Sequence, residues 1–311
     1  MRKFFMAAML LPSLLFLSCQ KESADLTDQI STGDGILSQL KEGRARQANF
    51  QLLSFAIARA GLTNELNDPN FAYTLFAPTD EAFASIGLDS RAAINGVPVE
   101  TLRGILLYHV LASKVLAAQV PSTSTELTML NSQKAYIESS AAGVFINGVQ
   151  VVSADISSKS GVIHAVNRVL LPPAGNIVDV VAGDDRFTFL VAAVLKADLA
   201  GALSGAGPLT VFAPTNDAFI AAGFTTIEAV EAATAEALAP ILTYHVVDGR
   251  AFSSDLSDGQ VLEMLSGLST TISLSGGAQI DGNKSAPSNI IQTDIMATNG
   301  VVHVIDGVLL P

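Results

Sequence analysis

The chain is poor in cysteine, tryptophan and basic residues. Its one cysteine, Cys19, excludes an internal disulfide framework. Lysine and arginine total 17 against 29 aspartates and glutamates, which gives a net charge of -12. Binding to phosphate backbones needs a basic stripe, so a nucleic-acid partner is disfavoured. Tryptophan is absent and aromatics make up 6% of residues, which weakens the case for a cleft that stacks on sugar rings.

The short motifs of common enzyme classes are also missing. The sequence has no Gly-x-Ser-x-Gly elbow, no Gly-x-x-x-x-Gly-Lys phosphate loop and no dinucleotide fingerprint. A Ser-His-Asp site assembled from distant residues stays open, because such triads are recognised by geometry rather than by sequence position. We therefore expect a protein without enzymatic activity or cofactor, with a hydrolase of unrecognised site as an alternative.

The N-terminus has the pattern of a targeting segment. Arg2 and Lys3 precede an apolar run at 4–17, which has the length of a signal-peptide core and is too short to span a bilayer comfortably. The run ends in Leu-Phe-Leu-Ser-Cys at 15–19, which resembles a bacterial lipoprotein cleavage site. An ordinary secretion signal is the alternative. The resemblance implies a signal peptide at 1–19 and a lipid on Cys19.

Residues 20–33, which follow the predicted signal peptide, predict a flexible segment rather than part of a folded domain. Residues 20–33 are mostly polar and read as a flexible tether. Its start, Gln-Lys-Glu at 20–22, resembles the short tag that some bacterial lipoproteins carry for display on the outer surface. We therefore expect an exported outer-membrane lipoprotein at the cell surface, held to the membrane by its N-terminal lipid alone. The alternative is a lipoprotein that faces the periplasm.

Two long parts of the chain repeat each other. The decapeptide Thr-Leu-Phe-Ala-Pro-Thr-Asp-Glu-Ala-Phe at 74–83 returns as Thr-Val-Phe-Ala-Pro-Thr-Asn-Asp-Ala-Phe at 210–219. Tyr-His-Val returns in the same order, and so does a Gly-(Val/Ile)-(Val/Ile)-His segment that runs on to Leu-Leu-Pro. The repeat of about 137 residues is far longer than the roughly 20 to 50 residues of solenoid repeats. It indicates a duplicated domain large enough for its own core.

These matches place domain one at 34–172, a short linker at 173–175 and domain two at 176–311. The front half of each domain is helical by its apolar spacing, for example the face of Leu53, Ala56 and Ile57, and the face of Phe187, Val191, Val194 and Leu195. The Pro-Thr-(Asp/Asn) tripeptides at 78–80 and 214–216 predict helix starts. The back halves carry short apolar runs broken by Gly, Asn and Ser. Helices followed by strands predict an α+β class.

The ordered motifs resemble those of the fasciclin domain. They are Phe-Ala-Pro-Thr-(Asp/Asn)-x-Ala-Phe, then Tyr-His, then Asp-Ile, then Gly-(Val/Ile)-(Val/Ile)-His with Leu-Leu-Pro. The resemblance implies two tandem fasciclin-like domains, each a wedge of two β-sheets with a helical layer. It also implies a role in cell adhesion or binding of extracellular matrix, with a surface protein or polysaccharide as ligand. A periplasmic envelope scaffold or assembly protein is the alternative.

The resemblance also supplies candidate site residues. In animal members the Tyr-His region is associated with integrin binding, and the Asp-Ile stretch is also linked to adhesion. Carried over, these motifs correspond here to Tyr108, His109, Asp155 and Ile156 in domain one, and to Tyr244, His245, Asp294 and Ile295 in domain two.

The four histidines lie in apolar surroundings. His109 and His245 continue apolar helical faces, whereas His164 and His303 alternate with apolar residues at strand spacing. We expect buried neutral imidazoles whose nitrogens bond backbone or hydroxyl groups, with His164 and His303 as structural residues. A metal site of two histidines and Asp155 or Asp294 is the alternative, although no close ligand spacing supports it. The copies differ at 167–168, Asn-Arg against Asp-Gly, which we interpret as drift in a turn.

Overall fold

A computed structural model of the protein describes residues 35–41, 49–68 and 70–311. The predicted signal peptide, Cys19 and the predicted tether at 20–33 lie outside the described residues. The described residues belong to one compact unit, Asp34–Pro311. Within those ranges no helix combines the length and apolar character needed to cross a membrane.

Domain one contains six α-helices and seven strands within the described residues. The helices are α1 (Ile36–Lys41), α2 (Gln51–Arg59), α3 (Thr63–Leu66), α4 (Asp80–Ala84), α5 (Arg91–Gly96) and α6 (Val99–Leu107), and a 3-10 turn covers Ala117–Gln119. The strands are β1 (Tyr73–Pro78), β2 (Val110–Leu111), β3 (Thr125–Thr128), β4 (Lys134–Ser140), β5 (Gly143–Ile146), β6 (Val149–Ser158) and β7 (Gly161–Val166). They are hydrogen-bonded in the order β2-β1-β7-β6-β5-β4-β3.

Domain two repeats this order of elements. Its helices are α7 (Ile177–Ala182), α8 (Thr188–Lys196), α9 (Ala200–Ser204), α10 (Asn216–Ala221), α11 (Ile227–Ala232) and α12 (Ala235–Thr243), with 3-10 turns at Asp185–Phe187 and Ser253–Asp255. Its strands are β8 (Leu209–Pro214), β9 (Val246–Asp248), β10 (Val261–Glu263), β11 (Ser269–Ser273), β12 (Gln279–Ile280), β13 (Ser288–Ala297) and β14 (Gly300–Ile305). The strand order is β10-β11-β12-β13-β14-β8-β9.

In each domain the first strand of the chain order pairs in parallel with the last, β1 with β7 and β8 with β14. Phe76 of β1 lies opposite His164 of β7, and Phe212 of β8 lies opposite His303 of β14. Because these partners are far apart in sequence, the pairing joins the two ends of each domain. All six residues of β1 and all six of β7 are buried, as expected for a parallel pair that is covered on both faces.

The predicted α+β class and tandem wedge are confirmed. One long strand, β6 in domain one and β13 in domain two, belongs to both sides of the wedge. All seven strands of each domain are therefore connected by hydrogen bonds. Two register shifts interrupt β6 where it pairs with β7, and β13 has two shifts at the equivalent positions. Bulges of this kind bend a strand and increase its twist, which lets one strand serve both sides of the wedge.

Each domain has two apolar cores, one on each face of the parallel pair. Leu75 and Ala77 of β1 pack with the helices, whereas Phe76, between them in sequence, packs with residues of β4 and β5. The alternation follows from the two-residue period of a strand. These two cores consist of domain-one residues alone, and domain two has the equivalent pair. Each domain therefore has a core of its own.

The Pro-Thr-(Asp/Asn) tripeptides begin helices as predicted, and they also cap a second helix. Thr79 accepts a hydrogen bond from the Ala82 amide at 3.2 Å and so caps α4. The next residue, Asp80, accepts from the Leu52 amide at 2.8 Å in the first turn of α2. Phe50 precedes α2 and offers no side-chain cap. The dipeptide Thr79-Asp80, directly after β1, therefore caps the N-termini of both α4 and α2.

Domain two has the same double cap. Thr215 accepts from the Ala218 amide at 3.3 Å, and Asn216 accepts from the Phe189 amide at 3.1 Å in the first turn of α8. The predicted apolar face of α8 needs correction in one respect. Leu195 is 63% exposed, and the buried face of the helix consists of Leu190, Ala193 and Val194.

A glycine opens the last strand of each domain because the parallel partner passes too close for a side chain. A Cβ at Gly161 would fall on the backbone of Tyr73, and the φ of Gly161 is +143°. A Cβ at Gly300 would fall on the carbonyl oxygen of Leu209. The glycine of the Gly-(Val/Ile)-(Val/Ile)-His motif is therefore required by strand packing.

Candidate adhesion motifs and the domain junction

Tyr108 follows the last residue of α6 and is fully buried. Its hydroxyl donates a hydrogen bond to the carbonyl oxygen of Lys134 at 2.7 Å and accepts one from Nδ2 of Asn147 at 3.0 Å. Burial raises the pKa of Tyr108 to about 12. The side chain thus connects the end of α6 to β4 and to the turn after β5.

His109 is buried beside it and is saturated with backbone hydrogen bonds. Its Nδ1 lies 2.8 Å from the carbonyl oxygen of Ile105, and the Leu170 amide donates to its Nε2 at 2.9 Å. An amide donor at Nε2 requires that atom to be unprotonated, so the hydrogen is on Nδ1 and the ring is neutral. Burial lowers the pKa of His109 to about 4. The ring joins α6 to the segment after β7.

Domain two repeats both contacts. The Tyr244 hydroxyl donates to the carbonyl oxygen of Ser269 at 3.0 Å. His245 lies 2.8 Å from the carbonyl oxygen of Ile241 through Nδ1, and its Nε2 accepts from the Leu309 amide at 2.9 Å. Burial lowers the pKa of His245 to about 4. Both Tyr-His motifs therefore lie in the core, where a partner protein has no direct access to them.

His164 connects a strand to a bulge and to a loop. Its Nε2 lies 2.9 Å from the carbonyl oxygen of Val115, and the Asp155 amide donates to its Nδ1 at 3.2 Å. Burial lowers its pKa. The nine-residue spacing between aspartate and histidine thus corresponds to one hydrogen bond across the β6-β7 hairpin.

His303 makes the equivalent contacts in domain two. Its Nε2 lies 2.8 Å from the carbonyl oxygen of Ala251, and the Asp294 amide donates to its Nδ1 at 3.4 Å. Burial lowers its pKa as well. All four histidine rings thus bond backbone groups through both nitrogens. In the described part of the chain, no group of three or more His, Cys, Asp or Glu side chains could hold a metal ion.

The two Asp-Ile motifs lie at the bulges of the long strands. Asp155 and Asp294 have φ of 59° and 64°, which is unusual for residues other than glycine. Oδ1 of Asp155 accepts a hydrogen bond from the Ala117 amide at 2.9 Å, and Oδ1 of Asp294 accepts one from the Ser253 amide at 2.7 Å. Each carboxylate therefore caps the 3-10 turn that crosses the bulge.

The paired motif residues differ in exposure. Ile156 and Ile295 are half-buried and pack against the helix-side core of their own domains. Asp155 is exposed, whereas only 2% of the Asp294 side chain is exposed. The difference arises because domain one covers Asp294.

Asp294 forms the centre of the contact between the domains. Arg168 of domain one places Nη2 at 2.6 Å from Oδ2 of Asp294, and the Ser253 hydroxyl donates to the same oxygen at 2.5 Å. Nη1 of Arg168 also donates to the Thr293 hydroxyl at 3.2 Å. Burial by itself raises the pKa of Asp294, but His303 and the hydrogen bonds from Ser253 and Arg168 outweigh it and hold that pKa below its ordinary value.

A second contact surrounds Tyr136 of domain one. The Arg250 guanidinium lies over its ring, with 3.8 Å between the guanidinium carbon and the ring centroid. The Phe252 ring lies 6.3 Å from the same centroid. Beside it the Ser254 hydroxyl donates to Oε1 of Glu138 at 3.0 Å. Cation–π, aromatic and hydrogen-bond contacts thus add to the ion pair in fixing the junction.

Sequence reasoning missed the junction, although one signal for it was present. The difference between Asn167-Arg168 and Asp306-Gly307 was interpreted as turn drift. That interpretation needs correction, because Arg168 is the residue that pairs with Asp294. The equivalent position of domain two is Gly307.

A cleft of about 680 Å³ lies next to the ion pair, between the domains. Residues of both domains line it, among them Leu171, Asp179 and Gln292. Arg168 and Asp294 also border it but neutralise each other. The cleft has a mixed lining without a strong charge of either sign.

Comparison with known proteins agrees with the geometry. A model of the family described as the fasciclin domain matches residues 48–172 and 185–311. Protein sll1483 of Synechocystis sp. is 42% identical over 164 residues, which covers 52% of this chain and 87% of that protein. Transforming growth factor-beta-induced protein ig-h3 of Sus scrofa is 30% identical over 254 residues, which covers 80% of this chain but 36% of the relative.

A solved FAS1 domain pair from the insect cell adhesion molecule Fasciclin I is 20% identical, with a TM-score of 0.41, and the match covers 84% of this chain and 97% of that one. The family model alone covers most of the chain, once for each domain. Members of the family are generally non-enzymatic proteins of the adhesion and extracellular-matrix type, and they include bacterial relatives. The chain belongs to the fasciclin family, with two tandem fasciclin domains.

Proposed function

We propose that this protein is a non-enzymatic adhesion protein of the bacterial cell envelope. In this proposal a lipid on Cys19 anchors it to the outer membrane, and the tether at 20–33 holds the two domains at the cell surface. The ligand is a surface protein or a polysaccharide. The observation that carries the proposal is that both domains match the fasciclin family, whose members are generally proteins of the adhesion and matrix type.

The junction supports a function that uses both domains together. The ion pair between Arg168 and the buried Asp294, together with the cluster around Tyr136, connects the domains. Two connected domains offer a partner two surfaces at a defined separation, so the second contact benefits from a high effective concentration. A partner that contacts both domains can therefore bind more tightly than either surface alone would allow.

Chemistry favours exposed surfaces over the motif histidines as the place of binding. The Tyr-His motifs are buried and their polar atoms already have partners. The chain carries an excess of acidic residues, so complementary charge favours partner surfaces with basic groups.

The first test concerns location. Protease is added to intact host cells that express either the wild-type chain or Cys19→Ala, with a periplasmic protein as the control. The proposal expects cleavage of the wild type while the control survives, and release of the variant from the membrane fraction. Protection of the wild type until the outer membrane is opened would instead indicate the periplasmic scaffold.

The second test concerns adhesion itself. A clean deletion strain is compared with the same strain complemented by the wild-type gene or by Cys19→Ala, and attachment to a surface and aggregation of cells are measured. We expect reduced attachment in the deletion, restoration by the wild type and no restoration by the variant. Normal attachment of the deletion strain would refute the adhesion role.

A further inference from the structure

Two acidic side chains from different domains meet at the junction. Glu138 belongs to β4 of domain one, and Asp255 ends the 3-10 turn Ser253–Asp255 of domain two. The two carboxyl groups hydrogen-bond to each other. Beside them the Ser254 hydroxyl donates to Oε1 of Glu138 at 3.0 Å. Glu138 therefore contacts two consecutive side chains of one turn, and one of them is acidic like itself.

A hydrogen bond between two carboxyl groups requires a proton, because carboxylates offer acceptors but no donor. The proton lies on Asp255. Burial, the hydrogen bond with Glu138 and the charges of Glu138 and Asp294 raise the pKa of Asp255 to about 7, although the hydrogen bond from the Phe252 amide acts in the opposite direction. Asp255 is an exposed residue, so solvent can supply or remove this proton while the domains stay in contact.

The charged and titratable groups around this pair already have partners. They are Asp294 of β13, His303 of β14, Arg168 after β7, Arg250 before the 3-10 turn and Tyr136 of β4. Asp294 pairs with Arg168, and Arg250 lies over the Tyr136 ring. Burial lowers the pKa of His303 and raises the pKa of Tyr136, so neither ring changes its charge near neutral pH. The proton on Asp255 is therefore what a change of pH near neutrality alters at this contact.

We propose that the junction is a pH-sensitive contact, which is tightest while Glu138 and Asp255 share a proton and loosens when that proton leaves. Without the proton, carboxylates of different domains lie within hydrogen-bond distance and repel each other. The domains then gain freedom to separate at this contact, although the linker still joins them. The inference concerns the junction alone and goes beyond the adhesion function proposed above.

The direction of the effect follows from the pKa of Asp255 in the two states. When the domains separate, the carboxyl group loses Glu138 and regains water, so its pKa returns toward 3.8. The closed junction therefore binds the proton more tightly. Its stabilisation is fully present below about pH 4 and is lost as the pH rises through about 7. Each pKa unit changes the open–closed equilibrium tenfold and exposure reduces the effect, so we expect opening to increase about tenfold or more between about pH 5 and pH 8.

Thiol labelling can measure this opening. Protein of residues 20–311 lacks Cys19 and therefore has no cysteine of its own. Met296 is 7% exposed and lies in an apolar cluster with Phe252 and Tyr136 at the junction. A thiol placed there by Met296→Cys is labelled when the domains separate. Labelling rates are measured from about pH 5 to pH 8 and corrected for thiolate ionisation with the same protein in urea.

Two conservative variants of this protein remove the shared proton and keep the neighbouring hydrogen bonds. Gln in Glu138→Gln still accepts from Ser254, and Asn in Asp255→Asn still accepts from the Phe252 amide. In both variants we expect slow labelling that no longer changes with pH. Glu263→Gln is the matched control, because Glu263 is an exposed carboxylate on β10 of the same domain. It should keep the pH dependence of the parent protein.

Labelling that does not change with pH in the parent protein, or that rises equally in the Glu138→Gln variant, would overturn the proposal. If Met296→Cys does not fold, carboxyl-carbon resonances of labelled protein replace the thiol. The Asp255 carboxyl should then titrate near pH 7 in the wild type and at lower pH in Glu138→Gln. Titration near about pH 4 in the wild type would refute the shared proton. These measurements use purified protein, so their failure would leave the cell-attachment test of adhesion unaffected.

Discussion

Replacing His245 with glutamine should make domain two less stable at neutral pH and relatively more stable in acid. The imidazole accepts a hydrogen bond from the Leu309 amide and contacts the Ile241 carbonyl oxygen in a fully dry environment. Glutamine has a donor and an acceptor but cannot place both in the same positions. An unpaired buried amide or carbonyl group costs about 1 to 3 kcal/mol, which is the expected loss near pH 7.

The acid effect follows from the pKa of His245, which burial lowers from 6.5 to about 4. Because the unfolded chain takes up the proton first, the stability that the neutral ring contributes is fully present above about pH 6.5. It is lost as the pH falls through 4. Between pH 7 and about pH 4.5 the wild type should lose roughly 2 kcal/mol through this one group. The variant does not have this loss, so its deficit should shrink to zero or reverse.

The assay is urea denaturation of the wild type and His245→Gln at several pH values, followed by a probe in domain two. All carboxylates are common to both proteins, so their contribution to acid unfolding cancels in the difference. Thr210→Val is the matched control. Thr210 is equally buried, bonds the Gly249 carbonyl oxygen and the Ala251 amide, and does not titrate.

For Thr210→Val we expect a loss of stability that does not change with pH. A stability difference for His245→Gln that is likewise constant from pH 7 to about pH 4.5 would refute the reasoning. It would mean that the ring keeps its ordinary pKa in the folded protein.

Three further changes have defined outcomes. Asp80→Ala removes the side chain that caps the Leu52 amide of α2, so thermal or urea unfolding should show a loss of about 1 kcal/mol, and an unchanged midpoint would contradict the double cap. Gly300→Ala places a methyl group against the Leu209 backbone and should prevent folding of domain two or destabilise it by more than about 3 kcal/mol, seen as lost amide dispersion. Arg168→Ala leaves a buried carboxylate without its cation, so calorimetry should show a loss of about 1 to 3 kcal/mol at neutral pH that diminishes in acid.

Much of the fold could be predicted from the sequence, because the signals for it are short local patterns and occur once in each domain. The Pro-Thr-(Asp/Asn) tripeptide is typical of a helix start, and the chain contains it twice in the same context. The apolar face of α2 follows directly from residue spacing, as the burial of Leu53, Ala56 and Ile57 shows. The face of α8 did not, because its sequence is apolar on nearly all sides and several phases fit equally well, so Leu195 was misplaced.

The contacts between separate helices, strands and domains could not be predicted from the sequence in the same way. The tripeptide at 78–80 predicted one helix start, but the oxygen of Asp80 also reaches the first turn of α2, and no spacing rule specifies that approach. The pairing of Arg168 with Asp294 depends on how two domains meet, and hydrophobic periodicity carries no information about it. The available signal was the difference between the two copies at this position, Arg168 against Gly307. Because both domains have the same fold, the structure of a single domain does not explain that difference.

The duplicated motif residues therefore mark the scaffold, and the differences between copies mark where function is to be sought. His109 and His245 make the same backbone contacts in both domains, so their presence in both follows from folding alone. Asp155 and Asp294 share a backbone role too, but their second oxygens face different surroundings. Motif residues that are identical in sequence and backbone role can thus have different neighbours, because one copy takes part in the contact between the domains. For this reason we expect substitutions of exposed residues, rather than of the buried Tyr-His motif, to change binding without changing stability.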